Sequence, residues 1–274
     1  MNRLEANLAR VRAGEVRPLA PFLTAGDGGA EVTLAALRAL DQANVTCVEL
    51  GLPFSDPIAD GPTIQAASDR ALAAGMDLTG VCTLVRELRR ESELPVALMS
   101  YLNPLLKPGL ERATGELAEA GVDALLVPDV PVEESGDLAR AAHGAGLAPI
   151  FFVAPTTTDE RLAAAADASR GFLYTIGRVG ITGQSTELDD ATLAFLDRVR
   201  AAAGELPVAV GFGLKDAQQV ALVTRHADLA IVGSAFVDRL HRAVSPHEPG
   251  SAAASDAAAD AARAYADELC SALP

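Results

Sequence analysis

The sequence predicts an α/β fold, a single closed (β/α)8 barrel, from the alternation of two kinds of segment and from the character of the strands. Short apolar runs rich in Val, Ile, Leu and Phe recur at 19–24, 47–51, 96–99, 124–128, 149–153, 172–176, 208–212 and 229–233. Stretches with helical spacing lie between them, among them 31–43, 78–93, 116–120, 137–145, 189–203 and 215–225. The runs are continuously apolar, as in strands covered on both faces, and regular strand–helix alternation implies parallel pairing through right-handed crossovers. Eight such units suffice to close a ring. A doubly wound sheet would carry a G-x-G-x-x-G turn after its first strand, and Thr24-Ala25-Gly26-Asp27-Gly28-Gly29 lacks that spacing.

With 274 residues, 50% of them hydrophobic, the chain has the usual size of one TIM barrel, so residues 1–274 are expected to form a single domain with extra N-terminal and loop helices. The stretch SPHEPGSAAASDAAAD has linker-like composition, so 245–255 is expected to be mobile. Ala262, Tyr265, Leu269 and Leu273 then recur at helical steps, predicting a last helix over 256–273. Twenty-two basic against 37 acidic residues give a net charge of −15, which argues against a nucleic-acid or anionic-membrane surface, so any anionic ligand must be held locally. Cys47, Cys82 and Cys270 are odd in number and widely spaced, suggesting neither disulfides nor a zinc site and fitting a reducing cytoplasm. Arg3, Glu5, Arg10, Arg12, Glu15 and Arg17 leave no room for a signal-peptide core, and no later apolar run reaches membrane-spanning length.

The second strand and the loop after it place Glu49 and Asp60 eleven positions apart in contrasting surroundings. Glu49 lies between Val48 and Leu50, where a carboxylate is costly unless paired or used. Side chains alternate along a strand, so Cys47, Glu49 and Gly51 face the barrel interior, where desolvation would raise the Glu49 pKa into the range of a general acid. The competing reading is a buried ion pair with an arginine or lysine. Asp60 follows Pro53 and Pro57 and precedes Gly61 and Pro62, a stiff loop that keeps a carboxylate aimed; a solvated turn is the alternative. Ser55 and Asp56 add polar groups, but no second cluster or histidine supports a Mg²⁺ site.

Glycines mark the ends of the last three strands, in Gly180-Ile181-Thr182-Gly183, Gly211-Phe212-Gly213 and Gly233-Ser234. Loop glycines are ordinary singly, but exposed amides after the last barrel strands, with a short extra helix, form a frequent phosphate site that needs no basic surface. Phe22, Met99, Leu126, Phe152 and Phe212 end or nearly end their strands and are either core or the wall of an apolar pocket. A carboxylate pair and an anion site flanking that wall suit an apolar, phosphorylated small molecule.

The segments Pro21-Phe22-Leu23-Thr24-Ala25-Gly26-Asp27, the run 49–65 from Glu49 through Ser55-Asp56-Pro57 and Asp60 to Gln65, and Asp129-Val130-Pro131-Val132-Glu133-Glu134 occur in order with the three glycine motifs. Together, across about 1–245, they resemble the tryptophan synthase alpha subunit family. The resemblance implies a lyase that cleaves indole-3-glycerol phosphate to indole and glyceraldehyde 3-phosphate in tryptophan biosynthesis. It implies no cofactor in this chain, pyridoxal phosphate belonging to a beta subunit met in an alpha2-beta2 heterotetramer. By position, Glu49 would protonate the indole ring carbon and help deprotonate the glycerol hydroxyl, Asp60 would stabilise charge at the indole nitrogen, and Tyr174 would stand near Glu49. Gly183, Gly213, Gly233 and Ser234 would take the phosphate; Phe22, Met99, Leu126, Phe152 and Phe212 would surround the indole. Thr182 would close its loop towards Asp60, and Ser55, Asp56 and Pro57 resemble a partner-contacting segment. The sequence departs from the family at Gly28, usually proline, at Gly177, frequently serine, and at Met99, often another aliphatic residue. A free-standing indole-releasing lyase and a catalytically idle barrel that activates a partner are the competing functions.

Overall fold

The computed structural model describes residues 2–177, 188–211 and 213–273. Helix α1 (Arg3–Arg12) precedes β1 (Leu19–Thr24), α2 (Ala30–Gln42), β2 (Val48–Gly51), α3 (Pro62–Ala73), α4 (Leu78–Leu88) and β3 (Val96–Met99). Then come α5 (Leu102–Leu106), α6 (Leu110–Ala120), β4 (Ala124–Leu126), α7 (Gly136–Ala145), β5 (Ala148–Ile150), β6 (Phe152–Val153), α8 (Asp159–Ala168) and β7 (Leu173–Ile176). The chain continues through α9 (Asp190–Ala203), β8 (Val208–Gly211), α10 (Ala217–Val223), β9 (Leu229–Val232), α11 (Ser234–Val244) and α12 (Ala252–Cys270).

Every strand pairing is parallel, in the order β5-β4-β3-β2-β1-β9-β8-β7-β6. The two terminal strands of that order are consecutive in the chain, parted only by Phe151. They are halves of the fifth predicted strand, one paired with β4 and the other with β7, so the ring closes through them as a TIM barrel. At the break the Phe151 amide donates to Ser169 Oγ at 3.1 Å, while its carbonyl accepts the Tyr174 amide at 3.1 Å. A serine has taken one ladder bond.

Alternation along the strands sorts the core into two layers. Val48, Leu50, Leu98 and Leu125 point outward against the helices, while Ala20, Cys47, Ala97, Ala124, Leu126, Ile150 and Ala209 fill the interior. Helix α1 plugs the N-terminal end with Leu4 and Leu8, each burial stabilising by roughly 1.5–3 kcal/mol. Asn2 caps that helix in a reciprocal box with Glu5.

The last helix starts at Ala252, inside the stretch expected to be mobile and ahead of the expected start at 256. Ser251 explains the shift: its side chain accepts the Ala254 amide at 3.2 Å, the hydrogen bond of an N-cap. Ala254, Ala258, Ala262 and Ala266 form the buried stripe of α12, and small side chains let it lie close against the barrel's helices. No helix among the described residues is long and apolar enough to cross a membrane.

Candidate active site

At the C-terminal ends of the strands a cavity of about 330 Å³ opens. Glu49 forms part of its floor from β2, 3% exposed, facing inward as the alternation requires. Its neighbours in register are Phe22 of β1 and Ala97 of β3, and the alanine leaves the carboxylate room. Among the described residues one hydrogen bond reaches it, from the Tyr174 hydroxyl to Oε2 at 3.3 Å. Burial pushes the Glu49 pKa up to about 8; the tyrosine bond draws it down and the Asp60 charge pushes it further up. Burial and the facing carboxylate also raise the Tyr174 pKa, so both groups are protonated near neutrality.

Two glycines make this arrangement fit. A Cβ at Gly211 would lie 2.8 Å from the Tyr174 hydroxyl, and one at Gly51 would lie 2.6 Å from the Phe22 ring. Each ring therefore lies over bare backbone on a neighbouring strand. The Tyr174 ring is also flanked by Phe152, with centroids 4.8 Å apart.

Asp60 enters from the loop after β2. The loop is fastened by the Asp60 amide to the Pro57 carbonyl at 3.0 Å and by Gln65 Nε2 to the Asp60 carbonyl at 2.8 Å. Tyr101, just beyond β3, accepts the Ala59 amide on its hydroxyl at 2.9 Å and hydrogen-bonds the Asp60 carboxylate. Phe54 packs on the Tyr101 ring, with centroids 5.3 Å apart. Burial lifts the Asp60 pKa to about 6 and the Tyr101 bond lowers it, surroundings unlike those of a solvated turn.

Of the residues expected to form the wall, Phe22, Met99 and Phe152 border the cavity. Leu126 does not: it is fully buried in the interior layer, and Pro128, two residues further along β4's path, takes the wall position. Ile64 in the first turn of α3, Ile231 near the end of β9 and Ile176 at the end of β7 add to the apolar lining, aliphatic residues where the sequence pointed to aromatics. Phe212, Thr182 and Gly183 lie outside the described residues.

Gly213, Gly233 and Ser234 gather at one side of the cavity. Gly213 has φ +74°, a left-handed backbone that a branched residue would strain. Gly233 leads into α11 without a side-chain cap, so the first amides of that helix have no capping side chain and are of the kind that can receive an anion. Ser55 and Asp56 are exposed on the outer side of the Asp60 loop, Ser55 Oγ donating to Asp56 Oδ2 at 2.6 Å, with Pro57 half-buried beside them. Ile58, next in the chain, is 82% exposed. Among the described residues no cluster of His, Cys, Asp or Glu could hold a metal ion.

The sequence model of the family described as "Tryptophan synthase alpha chain" matches residues 8–266. A tryptophan synthase alpha chain from Alkalilimnicola ehrlichii is 46% identical over 241 residues, 88% of each chain. One from Aromatoleum aromaticum is 42% identical over 243 residues, 88% of this chain and 89% of the relative. Among solved structures, tryptophan synthase subunit alpha from Legionella pneumophila superposes with a TM-score of 0.87 at 32% identity, covering 100% of this chain and 98% of that one. A chain of the tryptophan synthase a2b2 complex from the hyperthermophile Pyrococcus furiosus gives 0.82 at 36% identity, covering 93% and 98%. The chain belongs to the tryptophan synthase alpha chain family.

Proposed function

We propose that this member of the tryptophan synthase alpha chain family cleaves indole-3-glycerol phosphate to indole and glyceraldehyde 3-phosphate by a retro-aldol reaction in tryptophan biosynthesis. The observation that carries the reading is a pair of carboxylates, with pKa values pushed to about 8 and about 6, facing one apolar cavity. Near neutral pH that pair presents one acid and one anion.

Glu49, protonated, delivers its proton to C3 of the indole ring. The ring nitrogen then carries positive charge, and the Asp60 carboxylate, aimed by Tyr101, stabilises it where little water competes. The Glu49 carboxylate so formed takes the proton of the glycerol hydroxyl next to the scissile bond. The carbon–carbon bond breaks, its electron pair returns to the ring, an aldehyde forms, and the proton count closes with Glu49 protonated again. Tyr174 fixes the Glu49 carboxyl. Phe22, Met99 and Phe152 sandwich the flat apolar ring, while the amides around Gly213, Gly233 and Ser234 hold the phosphate without a basic side chain. Gly183 and Thr182, expected to complete the phosphate cradle and to close its loop, keep those assignments as part of this reading.

All steps run on side chains, and pyridoxal phosphate is assigned to a beta subunit in an alpha2-beta2 heterotetramer in the cytoplasm. The Ser55-Asp56-Pro57 segment is the proposed contact, its neighbour Ile58 offering an apolar anchor. A partner that binds the closed loop more tightly than the open one would raise turnover by aligning Asp60.

Release of indole from indole-3-glycerol phosphate, by the chain alone and with a beta subunit, tests the reading. Slow turnover alone and faster turnover in the complex is expected. Gly213→Val should weaken affinity for glycerol phosphate analogues by straining a left-handed backbone at the phosphate. No indole under either condition would refute the lyase, and full activity unaffected by the beta subunit would favour a free-standing enzyme.

A further inference from the structure

A second cavity, of about 280 Å³, lies outside the barrel between α2, α11 and the end of β1. Val32 and Ala36 of α2 and Val237, Leu240 and Val244 of α11 give it apolar walls. Thr24 also lines it, and its Oγ1 is buried without a hydrogen-bond partner among the described residues. A hydroxyl in that condition is costly until something in the cavity bonds it. At one edge Arg70 grips Asp27 through two hydrogen bonds of 2.7 and 2.8 Å, so those two charges offset each other, and His241 and His247 add polar rings to the lining.

The space depends on a residue that has no side chain. Gly28 has φ +83°, and a Cβ there would lie 3.1 Å from both Val32 Cγ1 and Val244 Cγ1. Its carbonyl accepts the Gly250 amide at 3.1 Å, tying the segment 245–250 down at the rim. An apolar cavity of about 150 Å³ is enough to bind benzene, so this one has room for two fused rings.

We propose that this cavity is a second small-molecule site, taking a neutral one- or two-ring aromatic that carries a single hydroxyl or ring N–H for Thr24. It is separate from the catalytic pocket, yet α3 and α11 border both: Ile64 and Ser234 face the catalytic side, Arg70 and Leu240 this one. An occupant presses on the two helices whose first turns frame the reaction.

Methyl NMR of the full chain titrated with 2-naphthol locates binding residue by residue. Saturable shifts are expected at the methyls of Val32, Val237, Leu240 and Val244. Thr24→Val should weaken 2-naphthol at those methyls roughly fivefold while leaving naphthalene as tight or tighter, because only the naphthol loses a hydrogen bond. Leu240→Trp should abolish the shifts at Val32 and Val244 by filling the space, with undisturbed Ile64 and Ile231 signals reporting an intact barrel. Shifts confined to Ile64 and Ile231 would overturn the proposal, as would equal 2-naphthol affinity in Thr24→Val and the unaltered chain.

Discussion

Asp123 and Glu49 are both buried acids of the barrel, 2% and 3% exposed, at opposite ends of its strands. Asp123, just ahead of β4, accepts from Arg89 at 3.0 Å, Arg3 at 3.2 Å and the Val96 amide at 2.9 Å. Asp228, ahead of β9, repeats the plan with Arg200 at 2.6 Å and the Val208 amide at 2.8 Å. Each clamps the first amide of a neighbouring strand. Glu49, towards the C-terminal end of β2, meets no arginine or lysine among the described residues and has one tyrosine hydroxyl. Burial alone therefore does not single out a candidate for chemistry; burial without a compensating cation does, and in this chain it falls at the end of the barrel where chemistry is placed.

The contrast would break most visibly at Glu49→Gln. Indole release should fall about 10²–10⁴-fold, the worth of a general acid, with thermal stability unchanged or higher, since no cation loses a partner. Unfolding of the variant would put Glu49 in the same class as Asp123. Conversely, Asp123→Asn should cost about 3–5 kcal/mol in denaturant unfolding, because Arg89 is left buried and uncompensated, while the folded fraction keeps its kcat. Loss of kcat without loss of stability would invert the comparison.

Asp60→Asn should lower kcat about 10²-fold with a smaller change in KM, because charge at the indole nitrogen grows mainly towards the transition state. Near-normal turnover would return Asp60 to a turn residue. The smallest effect sharpens the picture: Tyr101→Phe should reduce kcat roughly fivefold, the worth of about one hydrogen bond. It should also move the acidic limb of the pH–rate profile upward, since the Tyr101 bond lowers the Asp60 pKa. An unmoved limb would deny Tyr101 its positioning role.

Much of this was legible in the chain. The runs at 19–24 and 96–99 match β1 and β3 residue for residue, because continuous apolar character bounded by polar turns leaves little latitude. Glu49 was legible as an acid among apolar neighbours, and the alternation rule set its direction. The pairing that decides its role was not, since a cation can arrive from any distance in sequence. Tyr101 was missed: it stands two residues past β3 on the face of Met99, and that spacing was the available signal. Helix α6 runs Leu110–Ala120 where the spacing outlined only 116–120, because Arg112 and Thr114 interrupt the apolar pattern while Ala113 still packs inside.

Both carboxylates of the cavity titrate above their ordinary values of 4.5 and 3.8, so kcat/KM should follow a bell with limbs near about 6, where Asp60 ionises, and about 8, where Glu49 loses its proton. The stability linkage has the matching sign. Between 4.5 and about 8 the folded chain holds a Glu49 proton that the unfolded chain has released, so that contribution is complete below 4.5 and is lost as pH rises through about 8. Asp228, held below its ordinary value, contributes in the opposite direction, losing its stabilisation as pH falls. The most direct measurement is the titration of the Glu49 carboxyl itself, by carbon NMR of selectively labelled protein with Glu49→Gln to assign the signal. Protonation with a midpoint near 8 is the predicted result; a midpoint at or below 4.5 would mean that Glu49 is compensated as Asp228 is at the other end of the barrel, and would contradict its role as the proton donor.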